Sequence, residues 1–348
     1  MKKNLILCFF SIFLSFILIE VFLKILGTYS NLTQNKLIHA DTIYERPKNS
    51  YQKHKHPDVN YIITNYYDDN GVKNNTGILT SKKKNIIGVF GDSFTENVAV
   101  DPKFDFVSIL NKNISGYTLV NYGIGGYEID QVFLRYLKYK NHDHKYIFYL
   151  FFPGDQNLKN IISFDNEENY IIKKNNINYF YQILGKLNIT YLCIDSFYFL
   201  RSIFFKNHTR IDKNNYNQIL ANKIAIYEKR GYQTNIKEFY KILKIFQKTV
   251  EKNGSKFFVL VFPDEDNISL FENFIDKQEY KINYFILNNN LNKDSNLRFK
   301  NDNHWNEYGN LEFAKNLNNI FFKLKIKSNK VNFSKSEKEI INFYKKYK

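Results

Sequence analysis

Three short segments carry residue types at spacings that could do chemistry. The first is Gly91-Asp92-Ser93-Phe94-Thr95. A serine at the start of a helix can act as a nucleophile once a base takes its proton, and its own backbone N–H can hold an oxyanion there. The plainer reading of the triplet is a strand-to-helix turn with Asp92 or Ser93 as N-cap. The second segment is Asn121-Tyr122-Gly123-Ile124-Gly125-Gly126. Its glycines let backbone approach a ligand closely; the plainer reading is a tight turn before a helix. A phosphate loop is a rival, but no lysine follows at Walker spacing and Gly-x-Gly-x-x-Gly is absent. The third is Asp302-Asn303-His304-Trp305-Asn306-Glu307-Tyr308-Gly309. A carboxylate beside an imidazole fixes its tautomer and stabilises the imidazolium formed in proton transfer.

Other histidines have blander readings. His54 and His56 lie in a polar stretch with Lys53 and Lys55, His142 and His144 lie in a turn, and His39 and His208 are isolated. The two His-x-His pairs have no matching acidic or cysteine set, so no metal site is expected. With only Cys8 and Cys193, neither a disulfide framework nor a four-cysteine zinc site is available.

The elements that must position these segments follow from hydrophobic patterning. Asn85-Ile86-Ile87-Gly88-Val89-Phe90 is a continuous apolar run, as expected for a strand buried on both faces. Similar runs cover 117–120, 146–152, 257–262 and 282–287. Helical stretches are expected near 103–112, 127–139, 235–252 and 307–323, with Phe239, Ile242, Leu243, Ile245 and Phe246 forming one apolar stripe. Alternating strands and helices imply an α/β fold with a doubly wound, mostly parallel five-stranded sheet. Each of the first two motifs then follows a strand, and the third precedes the last helix. In such sheets ligands bind at the carboxyl ends of the strands. Residues 158–234 break the rhythm and read as an insertion, either a lid or a packing subdomain, with a helix near 190–205. The tail, 324–348, is Lys-rich and suits one amphipathic helix near 337–347.

The N-terminal residues point to a membrane. Residues 1–4 form a short positive start with Lys2 and Lys3, and 5–26 are almost wholly apolar, about the length a helix needs to span a bilayer. Glu20 and Lys24 interrupt the run four residues apart, where they can face each other. No small-x-small cleavage site follows convincingly. The expectation is an uncleaved single-pass anchor in the inner membrane, with a cleaved signal or a buried helix as alternatives. The lysines place the N-terminus in the cytoplasm and the rest on the periplasmic or extracellular side. Residues 27–84 read as a polar approach to the domain at 85–323.

Composition narrows the function classes. The 348 residues hold 44% apolar and 18% aromatic residues, ample for a core, and 14 glycines and 5 prolines exclude collagen-like or Pro/Gly-rich disorder. The formal charge of +16 accompanies an abundance of Lys, Asn, Ile, Tyr and Phe, a mixture that drift in base composition produces. No nucleic-acid-binding motif accompanies it, so no nucleic-acid partner is expected.

Order and placement of the three segments resemble the SGNH (GDSL) hydrolase superfamily, serine esterases and acyltransferases on a flavodoxin-like sheet. The resemblance spans about 85–323, and with the apolar leader it is similar to the membrane-anchored, cell-envelope branch. It implies Ser93 as nucleophile, His304 as general base and Asp302 as its orienting group. It also implies Gly126, with the N–H of Ser93, as oxyanion donors, supported by Gly91, Asp92, Asn121 and Gly123 of the motifs. No cofactor is implied. The α/β-hydrolase alternative expects Gly-x-Ser-x-Gly, and Thr95 stands where its second glycine belongs.

Two departures stand out. The family's third block places an oxyanion-donating Asn where this chain has Asp155, in Phe152-Pro153-Gly154-Asp155-Gln156-Asn157. An ionised carboxylate has no proton to donate. Either Asp155 is protonated, or the amide of Gln156 or Asn157 replaces it, or catalysis is weakened. The second departure is spacing: Asp-x-x-His is more usual, and Asn301 occupies the usual Asp position, although Asp-x-His-Trp is similar to envelope acyl-modifying members. The resulting expectation is a serine esterase or O-acyltransferase acting on acylated envelope glycans. The alternative is an inactive module of the same fold for glycan binding or envelope assembly.

Overall fold

The apolar runs become strands of one parallel sheet in the computed structural model. It describes residues 2–26, 45–54, 56, 58–74, 83–112, 114–152, 158, 162–165, 170–172, 232–264, 268–269, 271–272, 281–326 and 333–347. In chain order the strands are β1 (Ser50–His54), β2 (Ile63–Tyr67), β3 (Ile86–Phe90), β4 (Thr118–Asn121), β5 (His144–Phe151), β6 (Ile162–Phe164), β7 (Tyr170–Ile172), β8 (Lys256–Val261) and β9 (Tyr284–Ile286). The central sheet has the order β4-β3-β5-β8-β9, and all its pairs are parallel. This is the flavodoxin-like order, with its switch point beside the first strand.

The sheet is covered on both faces, which is why its strands lack polar alternation. One face, with Ile87, Val89, Phe148, Leu150 and Leu260, packs against α3 (Phe106–Asn111), α6 (Glu307–Lys323) and α7 (Phe333–Tyr347). The other, with Phe90, Tyr149, Phe151 and Val259, packs against α4 (Ile129–Tyr139) and α5 (Tyr232–Lys252). Further helices include α1 (Lys2–Leu26) and the short α2 (Ser93–Glu96).

Within the stretch read as a polar approach, the described residues of 45–74 are structured. β1 and β2 form an antiparallel hairpin, and bridges from Tyr67 to Lys73 and from Lys73 to Asn121 attach it to the end of β4. Several of its polar side chains, Gln52, Asn65 and Lys73 among them, are buried because they are paired. The Lys73 ammonium donates to Asp105 (2.7 Å) and to the carbonyls of Glu96 (2.8 Å) and Asn97 (2.9 Å), capping the end of α2. Within the insertion the structure describes the β6–β7 pair; the helix expected near 190–205 lies outside the described residues.

The membrane-spanning expectation is not met in full. Residues 5–26 are helical within α1, but among the described residues no helix is long and apolar enough to cross a membrane. The uncharged run, residues 5–19, ends at Glu20.

Candidate active site

Ser93 is the first residue of α2, directly beyond the carboxyl end of β3. The turn is set by its neighbours. The Asp92 carboxylate caps the helix by accepting the Phe94 N–H at 2.9 Å. A Cβ on Gly91 would run into the Thr95 hydroxyl, and one on Gly123 would sit 2.6 Å from the Glu96 nitrogen. Both positions therefore require glycine for close approach of the two loops. Asn121 laces those loops together: its amide donates to the Thr95 carbonyl at 2.5 Å, and its oxygen accepts the Gly123 N–H at 2.9 Å.

His304 arrives from the far end of the chain on the loop before α6. Asn306 fixes that loop as the N-cap of α6: its oxygen accepts the N–H groups of Tyr308 and Gly309, and its amide donates to the carbonyls of Asn296 and Arg298. Buried Glu307 anchors the same turn, accepting from the hydroxyls of Tyr61 (2.7 Å) and Tyr344. Burial and that carboxylate push both phenols well above their ordinary range, so they stay protonated donors.

The loop brings the three expected side chains together. His304 Nε2 lies 2.7 Å from Ser93 Oγ, and its Nδ1 lies 2.5 Å from Asp302 Oδ1. With the proton on Nδ1 donated to Asp302, Nε2 is free to accept from the serine, a tautomer assigned from this network. Hydrogen bonds from His304 and then His56 hold the Asp302 carboxyl far below its usual range, so it stays an anion. The site opens to solvent, with His304 35% and Asp302 33% exposed. Phe94 lines it, its ring 3.7 Å from that of Phe152 and 4.8 Å from that of His304.

Asn301, at the position where the usual spacing puts the carboxylate, faces away from the imidazole. Its backbone N–H donates to Asp58 at 2.8 Å, and its amide donates to the same carboxylate. Asp302, not Asn301, is the carboxylate in contact with the imidazole, and Asn301 latches the loop to the segment after β1.

The glycine segment is placed more finely than its motif suggested. Gly125 lies against Ser93: a Cβ there would be 3.4 Å from that of Ser93. Its N–H donates to buried Glu96 at 2.7 Å, and Glu96 also accepts two bonds from buried Arg46 (2.6 and 2.9 Å) and one from Tyr67 (3.1 Å). Gly126, next along, is exposed with φ +78°. Asp155, Gln156 and Asn157 lie outside the described residues. His142 and His144 instead flank the Tyr122 hydroxyl at 3.0 and 3.1 Å, and burial pushes His144 down to about 3. Among the described residues no group of three or more His, Cys, Asp or Glu is placed to hold a metal.

Arg46, His56, Asp58 and Glu96 are the site neighbours that sequence reasoning passed over. Glu96 ends the serine segment's own helix, and His56 was visible only as half of a His-x-His pair.

Asp92 carries a testable pH signature. Burial pushes its carboxyl up to about 6, partly offset by the Phe94 N–H and His304. The folded state therefore binds a proton that the unfolded chain releases near pH 4, and stability falls as pH rises between about 4 and 6. Asn retains the capping oxygen without the charge. Asp92→Asn is expected to be more stable than the parent at pH 7 and to lose that advantage at pH 4, read by urea unfolding at both. An advantage independent of pH would contradict this assignment.

No family model matches the sequence, and no curated protein matches it. Among solved structures the chain is similar to a member of the lipolytic protein G-D-S-L family from Veillonella parvula DSM 2008. The identity is 14% and the TM-score 0.36, over 68% of this chain and 98% of that one.

Proposed function

We propose that this chain is an SGNH-type serine esterase or O-acyltransferase. The observation that carries the reading is the relay Ser93 Oγ–His304 Nε2 (2.7 Å) and His304 Nδ1–Asp302 (2.5 Å) at the carboxyl end of the sheet. Ser93 Oγ attacks the ester carbonyl while its proton moves to His304 Nε2, and Asp302 stabilises the imidazolium. The N–H groups of Ser93 and Gly126 hold the tetrahedral oxyanion. The intermediate collapses as the carbon–oxygen bond to the alcohol breaks, and that alcohol leaves with the proton from His304. Water or a second hydroxyl then attacks the acyl-serine, gives its proton to His304, and releases Ser93.

The finer reading is an envelope enzyme acting on ester-linked acyl groups of glycans, held at a membrane by α1 with the domain on the periplasmic or extracellular side. It is supported by the exposure of the large apolar side chains of α1: Leu7, Phe10, Phe13, Phe16, Leu18 and Phe22 are 53–72% exposed. Lys2 and Lys3 at the start suit a cytoplasmic end.

A fluorophosphonate probe tests the chemistry. Ser93 should be labelled, and acetate should be released from at least one member of a panel of acetylated glycans. Absence of both from folded protein would favour the binding or assembly module.

A further inference from the structure

Asp302 has two imidazoles on it. His304 takes Oδ1, and His56, 3% exposed, sits with Nε2 3.2 Å from Oδ2. The tautomer of His56 is set from its other side, where Nδ1 accepts the Asp58 N–H at 3.2 Å. The ring proton must then be on Nε2, so His56 donates to Asp302. The ring lies 4.1 Å from that of Phe299, which holds its plane. Asp58 continues the clamp through its bonds to Asn301. Other titratable groups near this cluster include His54, whose ring is 6.0 Å from that of His56, Arg46 acting on His54 from further off, Asp92 on the His304 side and Tyr344 on the Asp58 side.

From this geometry we infer that His56 is a positioning residue of the relay, resting on the reading of Ser93 and His304 given above. Held only through Oδ1, by the ring and the backbone N–H (3.2 Å) of His304, the carboxylate could pivot about that oxygen and turn its second one to water. Here the second oxygen is tied to a neutral donor, so the first stays aimed at His304 Nδ1. That donor also withdraws charge from the carboxylate and moderates how strongly it favours the imidazolium. His56 touches neither Ser93 nor the reacting atoms; it acts through Asp302. The segment between β1 and β2 is therefore part of the active-site construction.

Two substitutions separate the hydrogen bond from the packing. His56→Phe keeps a ring on Phe299 and removes the donor. His56→Gln removes the ring but can place an amide Nε2 near the former imidazole Nε2. For His56→Phe we expect kcat/KM for p-nitrophenyl acetate to fall about tenfold, the scale on which a residue supporting a ligating group acts. The acidic limb of its pH profile should move to higher pH, because the unshared Asp302 charge favours the imidazolium more. His56→Gln should recover most of the rate and the original limb. A second reading needs no turnover: the downfield proton of the His304–Asp302 hydrogen bond should move further downfield in His56→Phe by NMR. Circular dichroism checks that both variants fold. If His56→Phe matches the parent in rate, limb and proton shift, or if the glutamine variant is the more impaired of the two, the inference is overturned. Failure of the serine-esterase reading looks different: Ser93→Ala would then turn over ester as fast as the parent, while the NMR shift still reports on His56.

Discussion

Replacing Ser93 by alanine is expected to lower kcat for ester hydrolysis by about four to six powers of ten, and His304→Ala by a similar factor. The double variant should be little worse than either single one, because the two groups act as a unit across one 2.7 Å contact. Asp302→Asn should be nearly as severe, on the order of 10,000-fold, for a reason this site makes specific. Asp302 offers one oxygen to each of two imidazoles. Asn has a single acceptor oxygen, so its NH2 group must face one of the rings. Facing His304, it forces the Nδ1 proton over to Nε2, and the nitrogen that should receive the serine proton is already occupied. Facing His56, it collides with the Nε2–H that Asp58 fixes on that ring. Steady-state hydrolysis of p-nitrophenyl acetate reads all three variants. Additive losses in the double variant, or an Asp302→Asn rate within tenfold of the parent, would count against the relay.

The sheet was legible because burial on both faces leaves an unbroken apolar run, and β3, β5 and β8 consist of such runs. Ser93, Asp302 and His304 were legible because short polar motifs stood beside those runs, where a parallel sheet collects its loops. The hairpin at 45–74 was not. Arg46, Gln52, His56, Asn65, Asp68, Lys73 and Asn74 are all buried in it, each a residue type that hydropathy assigns to solvent. They are tolerated inside because each meets a partner: Lys73 meets carbonyls and Asp105, Asn65 donates to the Val98 carbonyl, and Asp68 accepts from the backbone of Asn70 and Val72. Pairing between residues far apart in sequence leaves no period to detect. The place of the Gly125 N–H was hidden for a related reason, since its partner is the buried Glu96 carboxylate.

Glu96→Ala should produce the largest loss of stability, about 3–5 kcal/mol, because it takes away the carboxylate that a buried guanidinium is paired with. Glu96 is 1% exposed and Arg46 is 5% exposed; the carboxylate accepts two bonds from that guanidinium, one from Tyr67 and one from the Gly125 N–H. At a slope of roughly 3 kcal/mol/M, the urea midpoint should fall by a little over 1 M. Removing both charges tests the cause. Arg46→Met with Glu96→Leu removes the cation along with its carboxylate and should recover most of the loss, since apolar replacement of a whole buried pair is often tolerated. Recovery should stop short by about 1–3 kcal/mol, because the Gly125 N–H still loses its bond to the Glu96 carboxylate. Tyr67 is less affected, as its hydroxyl keeps Gln52 at 3.1 Å. Activity should track the acceptor rather than the charge. The Gly125 turn abuts Ser93, so the stabilised double variant should remain slow, while Glu96→Gln, which keeps one oxygen, should retain more turnover than either. A double variant with parental rates would mean that the pair serves stability alone and that the glycine turn holds its place beside the nucleophile without it.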